Sequence, residues 1–223
     1  MTTTGMLRSV NVGMPQLLAR LGKTVKTGIV KSPVDDRVAV SRTGLDGDGQ
    51  ADLSVHGGVD MAVYAYPFEH YAFWQSQLSR DEMPMGQLGE NLTVEGLTED
   101  RVCIGDVLTV GTARFEVSQP RIPCHKLAMR MEMPQFPKLF LASLRVGFYL
   151  RVLDEGEIGA GDSIECVPAA WASMTVREIA ELVNLEPARM EAARRAVELP
   201  ALSQEWRDAI SKALARLESR EQA

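Results

Sequence analysis

The sequence predicts a mostly antiparallel β-domain, a barrel or sandwich with short helices, over residues 1–170, followed by a small three-helix unit over 171–223. Three observations predict it. Short runs rich in Val, Ile, Thr, Tyr and Phe alternate with Gly, Asp, Pro and Asn from Leu7 to about Pro168, the spacing of closely packed strands and turns. After Trp171 the apolar positions change to helical spacing. The composition, 45% hydrophobic and 24% charged over 223 residues, is that of an ordinary globular chain with a sizeable core.

In chain order the strand runs are LRSVNVG, TVKTGIV, RVAVSRTG, MAVYAY, NLTVEG, DVLTVG, ARFEVS, VGFYLRVL and DSIECVP. Two helical interruptions are expected. One has Pro67 in its first turn and continues through FEHYAFWQSQL; the other is the Met-rich stretch from Cys124 to about Leu144. In the tail, Ser173 or Thr175 can cap TVREIAELV, whose Val176, Ile179, Ala180 and Val183 share a face. A second helix fits Glu186 to Val197 with Pro187 in its first turn. A third fits Ser203 to about Ser219, with Leu202, Trp206, Ile210, Ala213, Leu214 and Leu217 along one side.

Twenty-four Lys and Arg against thirty Asp and Glu leave a net charge of −6. A diffuse phosphate-neutralising surface is therefore not expected, and nucleic acid is not an expected partner; any anion site must be a local pocket. No apolar run approaches the roughly 20 residues that span a bilayer, and Met1 to Arg20 lacks the order of a secretory signal, so a cytoplasmic protein without membrane attachment is expected. Three cysteines with no CxxC spacing argue against a disulfide framework, a cysteine-built zinc site or an iron–sulfur cluster.

Three stretches carry candidate chemistry. In SQPRIPCHKLAMR, Cys124 lies within a few residues of Arg121, His125, Lys126 and Arg130; cationic neighbours and a helix starting just after Pro123 both favour thiolate. The alternative is a half-buried cysteine beside solvated bases, which is what Cys103 and Cys166 resemble as small core hydrophobes. In VHGGVDMAVYAYPFEHY, Gly57 and Gly58 allow close backbone approach to a ligand, and His56 either donates to an oxyanion or caps the turn. His70 reads as structural. In GQLGENLTVEGL, Asn91 can offer an amide to a polar ligand. The loop GLDGDGQAD lacks the acidic ladder of a calcium loop and reads as a tight polar turn.

The ordered set GLDGDGQAD, VHGGVDMAVYAYPFEHYAFW, GENLTVEGL, IGD and VSQPRIPCHKLA resembles the MOSC superfamily, the domain of molybdenum cofactor sulfurases, in its bacterial YiiM-type branch. The blocks run from about Thr43 to Ala128, VGFYLRVLDEG also fits, and the tail resembles the 3-alpha domain appended to such proteins. The resemblance implies a β-rich fold holding the molybdenum cofactor (Mo-molybdopterin), with Cys124 as molybdenum ligand and catalytic residue. His56, Gly57, Gly58, Asn91, Arg121 and Lys126 would bind the cofactor, Arg121 and Lys126 at its phosphate. It implies reduction of N-hydroxylated compounds such as hydroxylaminopurines and amidoximes, with a separate flavoprotein reductase as electron donor. Two alternatives remain: a carrier of the cofactor or of persulfide sulfur, and a noncatalytic interaction module.

Overall fold

The structure, a computed structural model, describes residues 2–51, 57–171 and 173–221. Its strands are β1 (Thr3–Val12), β2 (Gln16–Arg20), β3 (Lys23–Thr27), β4 (Ser32–Val34), β5 (Val38–Ser41), β6 (Gly44–Leu45), β7 (Val63–Pro67), β8 (Leu92–Glu95), β9 (Val107–Val110), β10 (Ala113–Pro120), β11 (Phe148–Asp154), β12 (Gly156–Ile158) and β13 (Ser163–Val167). Its helices are α1 (His70–Leu78), α2 (His125–Met131), α3 (Phe136–Ala142), α4 (Val176–Ala180), α5 (Met190–Val197) and α6 (Gln204–Glu221). Among the described residues no helix is long and apolar enough to cross a membrane.

Seven strands close on themselves in the order β1, β13, β9, β10, β11, β7, β8 and back to β1. Only β7 and β8 pair in parallel; the other neighbours are antiparallel. The expected barrel is therefore realised, and closure leaves those strands no open edge. Alternation fills the interior: Phe115 and Val117 of β10, Phe148 and Leu150 of β11, and Leu108 and Val110 of β9 are fully buried, while Arg114 and Asp154 pair outside at 2.7 Å.

β7 is buried along its whole length because both of its faces are covered. Val63 and Ala65 point into the barrel core. Tyr64 and Tyr66 join a second core, formed with Trp74 of α1, Leu127 and Met131 of α2, and Phe136 and Phe140 of α3. Pro67 closes β7, and α1 starts only at His70, so the proline ends a strand where a helical first turn was expected; the parallel pairing of Pro67 with Val94 holds it extended. Gly147, before β11, has φ 65°, and a Cβ there would stand 2.4 Å from the Ala65 carbonyl oxygen, which leaves only glycine at that crossing.

The tail forms helices as its spacing predicts. Thr175 caps α4 in a capping box with Glu178, and Pro187 opens a 3-10 turn before α5. Leu182, Leu199, Trp206, Ile210 and Leu214 pack in the same core as the barrel strands. Backbone bonds from Ile104 to Met174 (2.9 Å) and from Ser203 to Ser118 (3.2 Å) tie the tail to the barrel.

Candidate functional site

A cleft of about 120 Å³ opens where the second core meets the barrel, between the segment after β3, the loop after β6, β7 and the start of α2. Its lining includes Lys31, Asp48, Gly57, Met61, Tyr64, Asn91, Arg121, Cys124, Lys126 and Tyr149. Sequence-distant residues meet here because β10 ends where β8 and β11 begin, beside Tyr64 of β7.

Arg121 is delivered by a change of register. The β10–β11 pairing shifts between Val117 and Gln119, a bulge of the kind that re-aims side chains at a barrel rim. The residue after β10 thereby leaves the barrel-core face of Phe115 and Val117 and joins the face of Tyr149 and Tyr64, over the cleft. Its guanidinium is buried, donates to the Leu88 carbonyl oxygen at 2.5 Å and lies 4.5 Å from the centre of the Tyr64 ring. Among the described residues no carboxylate pairs with Arg121. Burial opposes its charge, yet its pKa stays above the ordinary value and the group is cationic.

Cys124 is the N-cap residue of α2, extended (φ −114°, ψ 176°) and half-buried on the cleft wall. The helix begins just after Pro123, as expected. Cys124 lies close enough to Arg121 and Tyr149 to interact electrostatically with both. Lys126, two residues on, is half-buried at the mouth, whereas His125 is exposed.

The second buried cation was not anticipated. Lys31, 8% exposed, forms a short ion pair with Asp48, itself 8% exposed. Burial lowers the Lys31 pKa and the Asp48 charge opposes that fall. Asp48 also accepts from the Gly13 amide at 2.9 Å and from Asn91 Nδ2 at 2.9 Å. The loop GLDGDGQAD, read as a tight polar turn, thus brings a carboxylate to the site. Asn91 lines the cleft, but its amide is engaged: Nδ2 also donates to the Asn11 carbonyl at 3.3 Å, and Oδ1 accepts from the Tyr64 amide at 3.1 Å. Glu90 beside it is fully buried and accepts from Tyr71, Gly86, Leu88 and Thr93; burial pushes its pKa up against those bonds.

Gly57 lines the cleft, and Gly58 caps the 3-10 turn Val59–Met61 that forms one wall. His56 lies outside the described residues. Asp60 in that turn is held by Arg151 (Nη2 to Oδ1, 2.6 Å), and Arg151 also bonds Glu116 and the Ala201 carbonyl oxygen (3.3 Å). No described residue of the tail lines the cleft, yet the tail braces this wall through Arg151. His70 bonds Glu99 at 2.6 Å behind the second core, the structural role expected of it. Among the described residues no group of three or more His, Cys, Asp or Glu could hold a bare metal ion.

The MOSC domain model matches residues 52–165. The chain is 42% identical over 210 residues to the protein YflK of Bacillus subtilis (strain 168), covering 94% of each. It is 32% identical over 199 residues to a protein named "Reductase" from Gibberella moniliformis; the match takes in 88% of this chain but 35% of that one. The crystal structure of YiiM from Geobacillus stearothermophilus superposes with a TM-score of 0.79 at 36% identity, covering 94% of this chain and 99% of that one.

Proposed function

The chain belongs to the MOSC domain family, in its YiiM-type branch, and from that premise we propose that it is a molybdenum-cofactor-dependent reductase of N-hydroxylated compounds such as hydroxylaminopurines and amidoximes. The observation that carries the reading is a half-buried thiol, Cys124, sharing one cleft with the buried cation Arg121, which no described carboxylate neutralises. A buried cation of this kind favours an anion beside it. A metal that arrives already chelated needs few protein ligands, and a single soft thiolate suits molybdenum where a multidentate cluster is missing from the described residues.

In this reading Cys124 ligates the metal. Arg121 binds the cofactor phosphate with charge-assisted bonds, aided by Lys126 at the mouth and by Lys31, which Asp48 orients. Asn91 acts by fixing Asp48 through the 2.9 Å bond. The backbone of Gly57 and Gly58 would let the pterin approach closely, and His56 is proposed as a further cofactor contact. The bound cofactor supplies two-electron removal of oxygen from an N–O bond. Tyr64 and Tyr149 stay protonated, because burial raises both pKa values, so their hydroxyls remain donors across the working pH range. Electrons come from a separate flavoprotein reductase.

The test is to make the protein in cells that synthesise the cofactor, then measure molybdenum, pterin fluorescence and turnover of benzamidoxime with reduced methyl viologen. Stoichiometric cofactor with turnover is expected. Cofactor without turnover would select the carrier reading, and protein without either would overturn the proposal.

A further inference from the structure

The net charge of −6 conceals a segregation. The segments 13–31 and 119–147, which between them bring Lys31, Arg121, Ile122, Cys124 and Lys126 to the cleft, hold nine Lys and Arg and a single acid, Glu132; the rest of the chain holds fifteen against twenty-nine. The two segments form one face. β2 packs on α2, Arg20 Nε meets Glu132 Oε1 at 3.1 Å, and Leu18 packs against the core that contains Leu127 and Met131. Lys31 and Arg121 line the cleft, while Arg20, Lys23, Lys26 and Lys138 are exposed elsewhere on the same two segments.

Among these cations stand exposed apolar side chains: Met14 at 64%, Leu17 at 72%, Ile122 at 48% and Leu139 at 47%. Ile122 is on the cleft itself, and the Met14 sulfur lies beside Gly49 of its lining. Apolar contacts inside a charged rim have the anatomy of a protein interface. A surface for single-stranded nucleic acid would present aromatic rings for stacking, and the large apolar residues exposed here are aliphatic or Met.

We propose that this face, the β2–β3 hairpin with α2 and α3, docks an acidic electron-donor protein and brings its flavin to the mouth of the cleft. The proposal rests on the reductase reading above. Each turnover breaks one N–O bond: the N-hydroxyl compound takes up two electrons and two protons and leaves as amine or amidine plus water, while the reduced flavin of the donor loses two electrons. An exposed basic face on an otherwise acidic protein both attracts such a donor and orients it. The Gibberella relative is consistent with this need, since about two thirds of its length lies outside the match.

The experiment uses the cofactor-loaded full chain and an acidic flavodoxin as probe, with binding measured by calorimetry at about 20 mM and about 300 mM salt. Expected are complex formation at low salt, loss of affinity by at least about tenfold at high salt, and a similar loss in Lys23→Glu/Lys26→Glu/Lys138→Glu. Viologen-driven turnover of that variant should stay at the wild-type level. No complex with the wild type, or equal affinity of wild type and variant, overturns the docking face; so does tighter binding of a 20-nucleotide single strand than of flavodoxin. Failure of viologen-driven turnover in the wild type removes the reductase reading instead, and the binding measurement still decides whether the face takes an acidic protein.

Discussion

Cys124 and the pair Cys103 and Cys166 are the same residue type in opposed surroundings. Cys166 is buried and donates weakly to Asp106 at 3.8 Å, and the Cys103 amide donates to the same carboxylate at 2.9 Å. Burial, with the Asp106 charge adding to it, pushes the Cys103 thiol up to about 11 and the Cys166 thiol up to about 12. Cys124 instead stands at the N-cap position of α2 on the wall of a cleft that also holds the buried cation Arg121. Burial reinforced by a neighbouring anion makes two thiols inert, whereas a neighbouring cation suits the third to be an anionic ligand.

The largest expected effect breaks the comparison outright. Cys124→Ser should abolish molybdenum retention and reductase turnover, while Cys103→Ser and Cys166→Ser keep both; metal analysis of the three purified proteins decides it. Alkylation sharpens the same contrast. A thiol moved from an ordinary 9.0 to about 11 carries about a hundredfold less thiolate at neutral pH, so iodoacetamide at pH 7.5 followed by mass mapping should label Cys124 first. Raising the pH should accelerate labelling of Cys103 about tenfold per unit until its pKa is reached. Equal labelling of all three cysteines would dissolve the distinction.

Smaller effects test the charge that defines the site. Arg121→Ala removes a buried charge-assisted contact worth about 1.5–3 kcal/mol, so cofactor affinity should fall about ten- to a hundredfold. Lys126→Ala, at the half-exposed mouth, should cost less, about fivefold or below. Occupancy titrated by pterin fluorescence ranks the two, and equal losses would move the phosphate from the buried cation to the rim. Least affected should be Arg151→Met, which releases Asp60 and the tail's hold on one wall: about a twofold loss of affinity is expected, restored in part by Arg151→Lys.

The sequence by itself determined what depends on neighbours along the chain. Strand alternation fills the barrel, Thr175 and Glu178 start α4, and the helical face from Leu202 to Leu214 is buried as its spacing requires. It also marked Cys124, whose basic company and helix start are contiguous in SQPRIPCHKLAMR. Only the tertiary structure decided the rest of the site. Lys31, Asp48 and Asn91 belong to three separate segments and become one hydrogen-bonded group only when the barrel closes and β7 pairs with β8. Arg121 lies beneath Tyr64 and not in the barrel core because a register shift in β10 changes its face, which no periodicity encodes. The strand MAVYAY gave no sign that its tyrosines would serve a second core, because alternation reports a change of face without saying what covers each face. Coulomb interactions act through space, so an overall charge of −6 is legible in composition, while a cationic face around the cleft exists only once the chain has folded.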